Sequence, residues 1–216
     1  MRRLLFLLLT IPGLVAGAAS ATKPHVCTFG KTTSVKWHPG PAEDKTLELK
    51  VRPFYVDGRL REFTVGTVHE VTDRLFVVQR AFRLNDALPQ DSGGPQWLWQ
   101  KGGWLVIDRI TGRISLLALP DFDAYSSLVS WYRDYAAYCG LSEDGQHAYA
   151  VVVEIGRRKP LVRQVVAGQT SDGDPGCPVP SWQRPDRVTF HANQDFTYSI
   201  RHGLAEPAIE EENDSE

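Results

Sequence analysis

Three carboxylates, Asp108, Asp123 and Asp134, stand in or beside strand-like runs, where a pair converging on one surface could do general acid–base work. Asp134 belongs to Trp131-Tyr132-Arg133-Asp134-Tyr135. Read as strand, this stretch puts Trp131, Arg133 and Tyr135 on one face and Tyr132 and Asp134 on the other. A charge on each face of so apolar a segment demands partners, because an isolated buried charge is prohibitively costly. Arg133 and Asp134 are therefore read as a structural network first and as a polar site second. Trp97, Trp99 and Trp104 offer different chemistry, an indole platform for stacking on a sugar ring or an extended peptide. Cross-strand aromatic packing, contributing roughly 0.2–1 kcal/mol per pair, is the commoner reason for such residues.

Asp91-Ser92-Gly93-Gly94-Pro95 copies the nucleophile loop of trypsin-like proteases apart from its leading glycine. That chemistry needs a histidine base and oxyanion donors in a His, Asp, Ser order, with most of two barrels ahead of the serine. His25, His38 and His69 precede Ser92 without the flanking residues of such a base, so Ser92 is expected to sit in an ordinary polar connection. The six histidines show no His-x-His or His-x-x-x-His spacing. Asp121-Phe-Asp123 and Asp172-Gly-Asp174 do not continue into a closing Glu. No metal and no other cofactor is expected.

The elements that must position these groups are strands. Helical periodicity is nearly absent, and short alternating runs rich in β-branched and aromatic residues recur between Gly, Asp and Pro turns. Asp57-Gly58 is a hairpin signal, and Lys101-Gly102-Gly103 is read as a second turn between Gln96–Gln100 and Trp104–Asp108. Ser130 to Cys139 reads as one strand. The chain is thus expected to be all-β, a single-domain antiparallel sandwich or barrel, with a propeller-like arrangement of sheets as the runner-up.

Residues 1–21 open with Arg2-Arg3, run apolar from Leu4 to Val15 and close on Ala19-Ser20-Ala21. This is the pattern of a cleaved export signal, too short for an anchor of about 20 apolar residues. Residues 22–205 form the expected β domain, secreted or periplasmic after cleavage near Ala21. Arg2 and Arg3 leave with the leader, and six acids (Glu206, Glu210, Glu211, Glu212, Asp214, Glu216) lie in residues 206–216. That segment is expected to be a disordered acidic tail. The 24 basic and 26 acidic residues of the chain then leave 22 and 20 in the body, too balanced for nucleic acid. No second apolar stretch is long enough to span a membrane. Three cysteines in an oxidising compartment imply one bridge and one odd thiol. Of three possible pairings, Cys139–Cys177 is expected, since it would tie a Pro/Gly loop to the core and contribute about 3–4 kcal/mol.

The words Phe29-Gly30-Lys31, Asp73–Val78, Trp131–Gly140, Gly156–Pro160 and Trp182-Gln183-Arg184 resemble an uncharacterised family of secreted bacterial proteins. The resemblance implies a bacterial, exported, one-domain protein and carries over no catalytic residue. The expected role is binding or structural interaction with a protein or glycan of the cell envelope, through Trp97, Trp99, Trp104 and Arg133. The alternative is a periplasmic hydrolase working through Asp134, Asp123 or Asp108.

Overall fold

A computed structural model of the protein describes residues 23–37, 46–87, 93–168, 178–192 and 194–208. The expected leader, Ser92, Asp172, Asp174, Cys177 and residues 209–216 lie outside them. Among the described residues there are three sheets and no helix. The all-β expectation holds, because nearly every run alternates or is built of Val, Tyr, Phe and Trp.

The first sheet is a meander of β2 (Thr33–Trp37), β3 (Leu47–Val56), β4 (Arg59–Glu70), β5 (Leu75–Asn85) and β6 (Trp97–Asp108), with β1 (Cys27–Phe29) on β3 and β7 (Ile114–Leu116) on β6. Asp57 and Gly58 both take positive φ, 51° and 74°, the backbone of the tightest hairpin turn. Five strands in a meander leave the first and last pointing the same way. Accordingly β2 meets β6 in parallel at Trp37 and Trp99. Two apolar clusters fill this unit. One gathers Phe54, Val56, Phe76, Val78, Leu105 and Ile107. The other gathers Trp37, Leu49, Val51, Val65 and Ala81.

Lys101-Gly102-Gly103 does not turn the chain. It lies inside β6, which pairs with β5 from Asn85↔Trp97 to Leu75↔Asp108. Between the pairs Gln79↔Trp104 and Ala81↔Lys101, three steps on β6 face two on β5, so the extra residue is absorbed as a bulge. Arg80 and Phe82 explain Gly102, since a Cβ there would come within 3.3 Å of both side chains.

The second sheet is β8 (Ser130–Tyr132), β9 (Tyr135–Leu141), β10 (His147–Glu154) and β11 (Val162–Gly168). The third is β12 (Ser181–Gln183), β13 (Arg187–Phe190), β14 (Phe196–Arg201) and β15 (Leu204–Pro207). Both are plain antiparallel meanders. Ala137, Cys139, Ala150 and Val152 of the second pack on Val188, Phe190 and Ile200 of the third. The opposite face of the second sheet (Ala136, Tyr138, Val151, Val153) is covered by Leu119, Phe122 and Val129 from the connection after β7. That connection is pinned by Tyr138 Oη donating to Pro120 O at 2.7 Å and Ser127 Oγ donating to Cys139 O at 2.6 Å. Burial on both faces is why β9 and β10 read as continuous apolar runs.

Two boundaries differ from the sequence reading. Ser130–Cys139 is split by a turn at Arg133-Asp134. Glu206 and Pro207, assigned to the tail, are the last residues of β15, paired to β14. Cys27 is a free thiol and Cys139 is disulfide-bonded.

Candidate functional site

The turn at Arg133-Asp134 creates the most distinctive surface of the molecule. Tyr132 pairs directly with Tyr135, so the two intervening residues form a minimal hairpin with Arg133 at φ 53°. Glycine is the usual solution at such a position, and a side chain there costs about 1–3 kcal/mol. Placed in the turn, Arg133 is exposed. Its guanidinium sits 5.3 Å from the Tyr132 ring centroid. It meets no carboxylate among the described residues.

Opposite this hairpin, β12 brings up Trp182. Its ring stacks on Tyr132 with centroids 5.4 Å apart and planes 28° off parallel, and it leans on Tyr135 at 6.4 Å. Trp182 Nε1 donates to Ser130 O at 3.0 Å, so the indole is held in orientation across the two sheets. The turn after β12, with its cis Arg184–Pro185 bond, and the His202-Gly203 hairpin between β14 and β15 complete the rim. The result is a cleft of about 410 Å³ between the second and third sheets, walled by Tyr132, Tyr135, Trp182, Pro185 and Ile200. Arg133, Arg201, His202 and Asp186 supply its polar edge. Arg201 Nε donates to Asp186 Oδ2 at 2.6 Å, an interaction that offsets one charge of each sign. Burial first, then nearby Asp134 and Glu154, push the Tyr135 phenol up, so it stays a neutral hydrogen-bonding group. What remains is a half-apolar slot with aromatic faces and a free guanidinium at its lip.

The other expected site residues are scattered. Asp108 closes β6 and receives Arg74 through both oxygens, Nε at 2.9 Å and Nη2 at 2.5 Å, besides the Ile110 N–H at 2.8 Å. The Arg74 guanidinium holds its carboxyl well below the usual carboxylate range, so it has no proton to give near neutrality. Asp123 caps its own turn, accepting from Tyr125 N at 2.6 Å. It lines a separate hollow of about 460 Å³ with Asp121 and Glu143. Asp121 there is held bidentate by Arg163, at 2.7 and 3.1 Å. Asp134 lies in the β8–β9 turn, where its backbone carbonyl accepts from Ile155 N at 2.9 Å. These three carboxylates occupy three different elements and share no described cavity. Among the described residues no group of three His, Cys, Asp or Glu could hold a metal.

The tryptophans divide likewise. With Trp97 and Trp104 on one continuous strand, they stand about 23 Å apart along it at ~3.3 Å per residue. Trp97 is 56% exposed. Trp99 packs edge-on against Phe63 at 5.1 Å. Trp104 is buried against Trp131 at 5.0 Å, between the first and second sheets. Of the expected binding residues, Arg133 alone lines the cleft. Tyr132, Tyr135 and Trp182 join it only through the fold, because nothing local pairs two rings 50 residues apart. No protein-family model, curated protein or solved structure matches the chain.

Proposed function

We propose that this chain is an exported β domain that binds a carboxylate-bearing glycan of the cell envelope in the cleft between its second and third sheets. The observation that carries this reading is the Tyr132–Trp182 stack with the Arg133 guanidinium at its edge, paired with no carboxylate among the described residues. Flat aromatic faces suit the apolar face of a sugar ring. A guanidinium that meets no carboxylate among the described residues suits an acidic substituent on that ring. Export is supported by the leader pattern of residues 1–21 and by a disulfide at Cys139, which belongs in an oxidising compartment. Cys177 is the expected bridge partner: Cys27 is free, and Cys139 Sγ lies 4.0 Å from the carbonyl oxygen of Pro178. The finer fold reading is a barrel followed by a sandwich, supported by the β2–β6 contact and by the core shared between the second and third sheets.

Tryptophan fluorescence during titration with oligogalacturonate, with a neutral maltooligosaccharide in parallel, tests the assignment. Saturable quenching by the acidic ligand is expected, weakened at least tenfold (~1.4 kcal/mol) in Trp182→Ala. Arg133→Ala should bring the acidic ligand down to the neutral one. The same affinity in wild type and Trp182→Ala would remove the cleft from the binding site.

A further inference from the structure

The third sheet carries a second arrangement, on the face away from the cleft. Successive strand residues point to opposite faces, so Ser181 looks away from its neighbour Trp182. Ser181 pairs with Thr189, and Thr189 with Thr197, placing three hydroxyl side chains in one row across β12, β13 and β14. Two residues beyond Thr189 on the same face stands His191. The register Phe190↔Phe196 carries on to set Asp195 opposite it. All three ends meet at one edge of the meander. Ser181 Oγ lies 3.0 Å from His191 Nε2, and His191 Nδ1 lies 3.1 Å from Asp195 Oδ2.

A carboxylate only accepts, so Nδ1 must carry the proton given to Asp195, and Nε2 is left to accept from the serine hydroxyl. That is the hydrogen-bond order of an activated nucleophile: orienting carboxylate, base, hydroxyl. We propose that Ser181, His191 and Asp195 form a hydrolytic relay for short-chain acyl esters. Ser181 Oγ attacks the ester carbonyl carbon as its proton passes to His191 Nε2. The ester C–O bond breaks, and the leaving alkoxide takes that proton. Water then attacks the acyl-serine with His191 again as base, releasing the carboxylic acid and restoring the hydroxyl.

Two features choose the substrate class. The Asp195 side chain is 58% exposed and that of His191 44% exposed, so the hydrogen bond between them is weakened by water, and the relay suits esters rather than amides. The three residues lie on the face of the sheet away from the aromatic cleft, and Ser181 is only partly exposed there, which favours a small acyl group over a long chain. Ser181 and His191 touch the reacting atoms; Asp195 is a positioning residue.

Hydrolysis of p-nitrophenyl acetate by the purified protein, together with labelling by a fluorophosphonate, tests this. Expected are turnover above that of Ser181→Ala by about 100-fold or more, and a single phosphonyl adduct mapped to Ser181 by mass spectrometry. Adduct mapping needs only the wild-type chain, so a misfolded variant cannot obscure it. No adduct at Ser181, or equal turnover in wild type and Ser181→Ala, overturns the proposal. Because the cleft lies on the other face of β12, loss of glycan binding in Trp182→Ala leaves this result untouched.

Discussion

Among the described residues two histidine–aspartate pairs involve hairpin turns, and they are built for different ends. In the first sheet His25 Nδ1 lies 2.6 Å from Asp57 Oδ2, and Asp57 Oδ1 accepts the Val26 N–H at 2.9 Å. The His25 N–H donates to Arg109 O at 2.6 Å. Its ring lies over Gly112, where a Cβ would come within 3.0 Å of the imidazole. Every contact ties the segment ahead of β1 to neighbouring turns, and no hydroxyl meets the other ring nitrogen among the described residues. In the third sheet the His191–Asp195 pair is longer, 3.1 Å, but its second nitrogen faces Ser181. The same two residue types make a clamp where the free nitrogen meets nothing reactive and a relay where it meets a hydroxyl.

The largest expected effect separates the two histidines. His191→Gln should cost about 100-fold or more in ester turnover, the usual worth of a general base, whereas His25→Gln should leave turnover unchanged. Parallel p-nitrophenyl acetate assays measure both; equal losses would erase the distinction. Next, Asp195→Asn should cost about tenfold, less than a buried orienting carboxylate is worth, because this one is largely solvated. A loss as large as that of His191→Gln would show the pair to be desolvated in solution.

Thermal melting sharpens the comparison from the other side. Asp57 holds φ 51°, so Asp57→Ala loses both the clamp and a residue type tolerant of the left-handed region. Its melting midpoint should fall further than that of Asp195→Ala, and Asp57→Asn should fall least of the three. The smallest effect is with pH. The His25 hydrogen bond first, then the Val26 N–H, hold the Asp57 carboxyl below its ordinary value of 3.8. A depressed folded value means the clamp contributes fully above that ordinary value and is lost only as pH falls through the lower folded one. The Val26 amide resonance should therefore hold steady from neutrality and move only below about pH 4. Movement well above pH 4 would show that the resonance does not report on the Asp57 carboxylate.

Much of the fold was legible in advance. Asp57-Gly58 announced its turn because both positions need positive φ, and the β-branched and aromatic runs announced strands. Lys101-Gly102-Gly103 misled, since glycines serve both turns and bulges and nothing in the immediate sequence says which. Arg133-Asp134 misled in the opposite direction. Flanked by Trp, Tyr and Ala it reads as strand, yet the register Tyr132↔Tyr135 leaves those two charges nowhere but the turn. Of the candidate site, Arg133 was found from its charge amid rings. Trp182 was not joined to it, because that contact bridges two sheets.

What the sequence determined alone is what short-range physics controls: strand rather than helix, the place of the tightest turn and the acid-rich end. The tertiary structure decided which aromatic rings meet and which carboxylates are already occupied by arginines. It decided too that Ser181, His191 and Asp195, ten and four residues apart, end at one corner. The reason is register. A strand's side chains alternate with period two, so shifting the β12–β13 or β13–β14 pairing by one residue would send Ser181 or Asp195 to the other face. That register is set by the packing of Val188, Phe190 and Ile200 against the second sheet, and no local run of residues carries it.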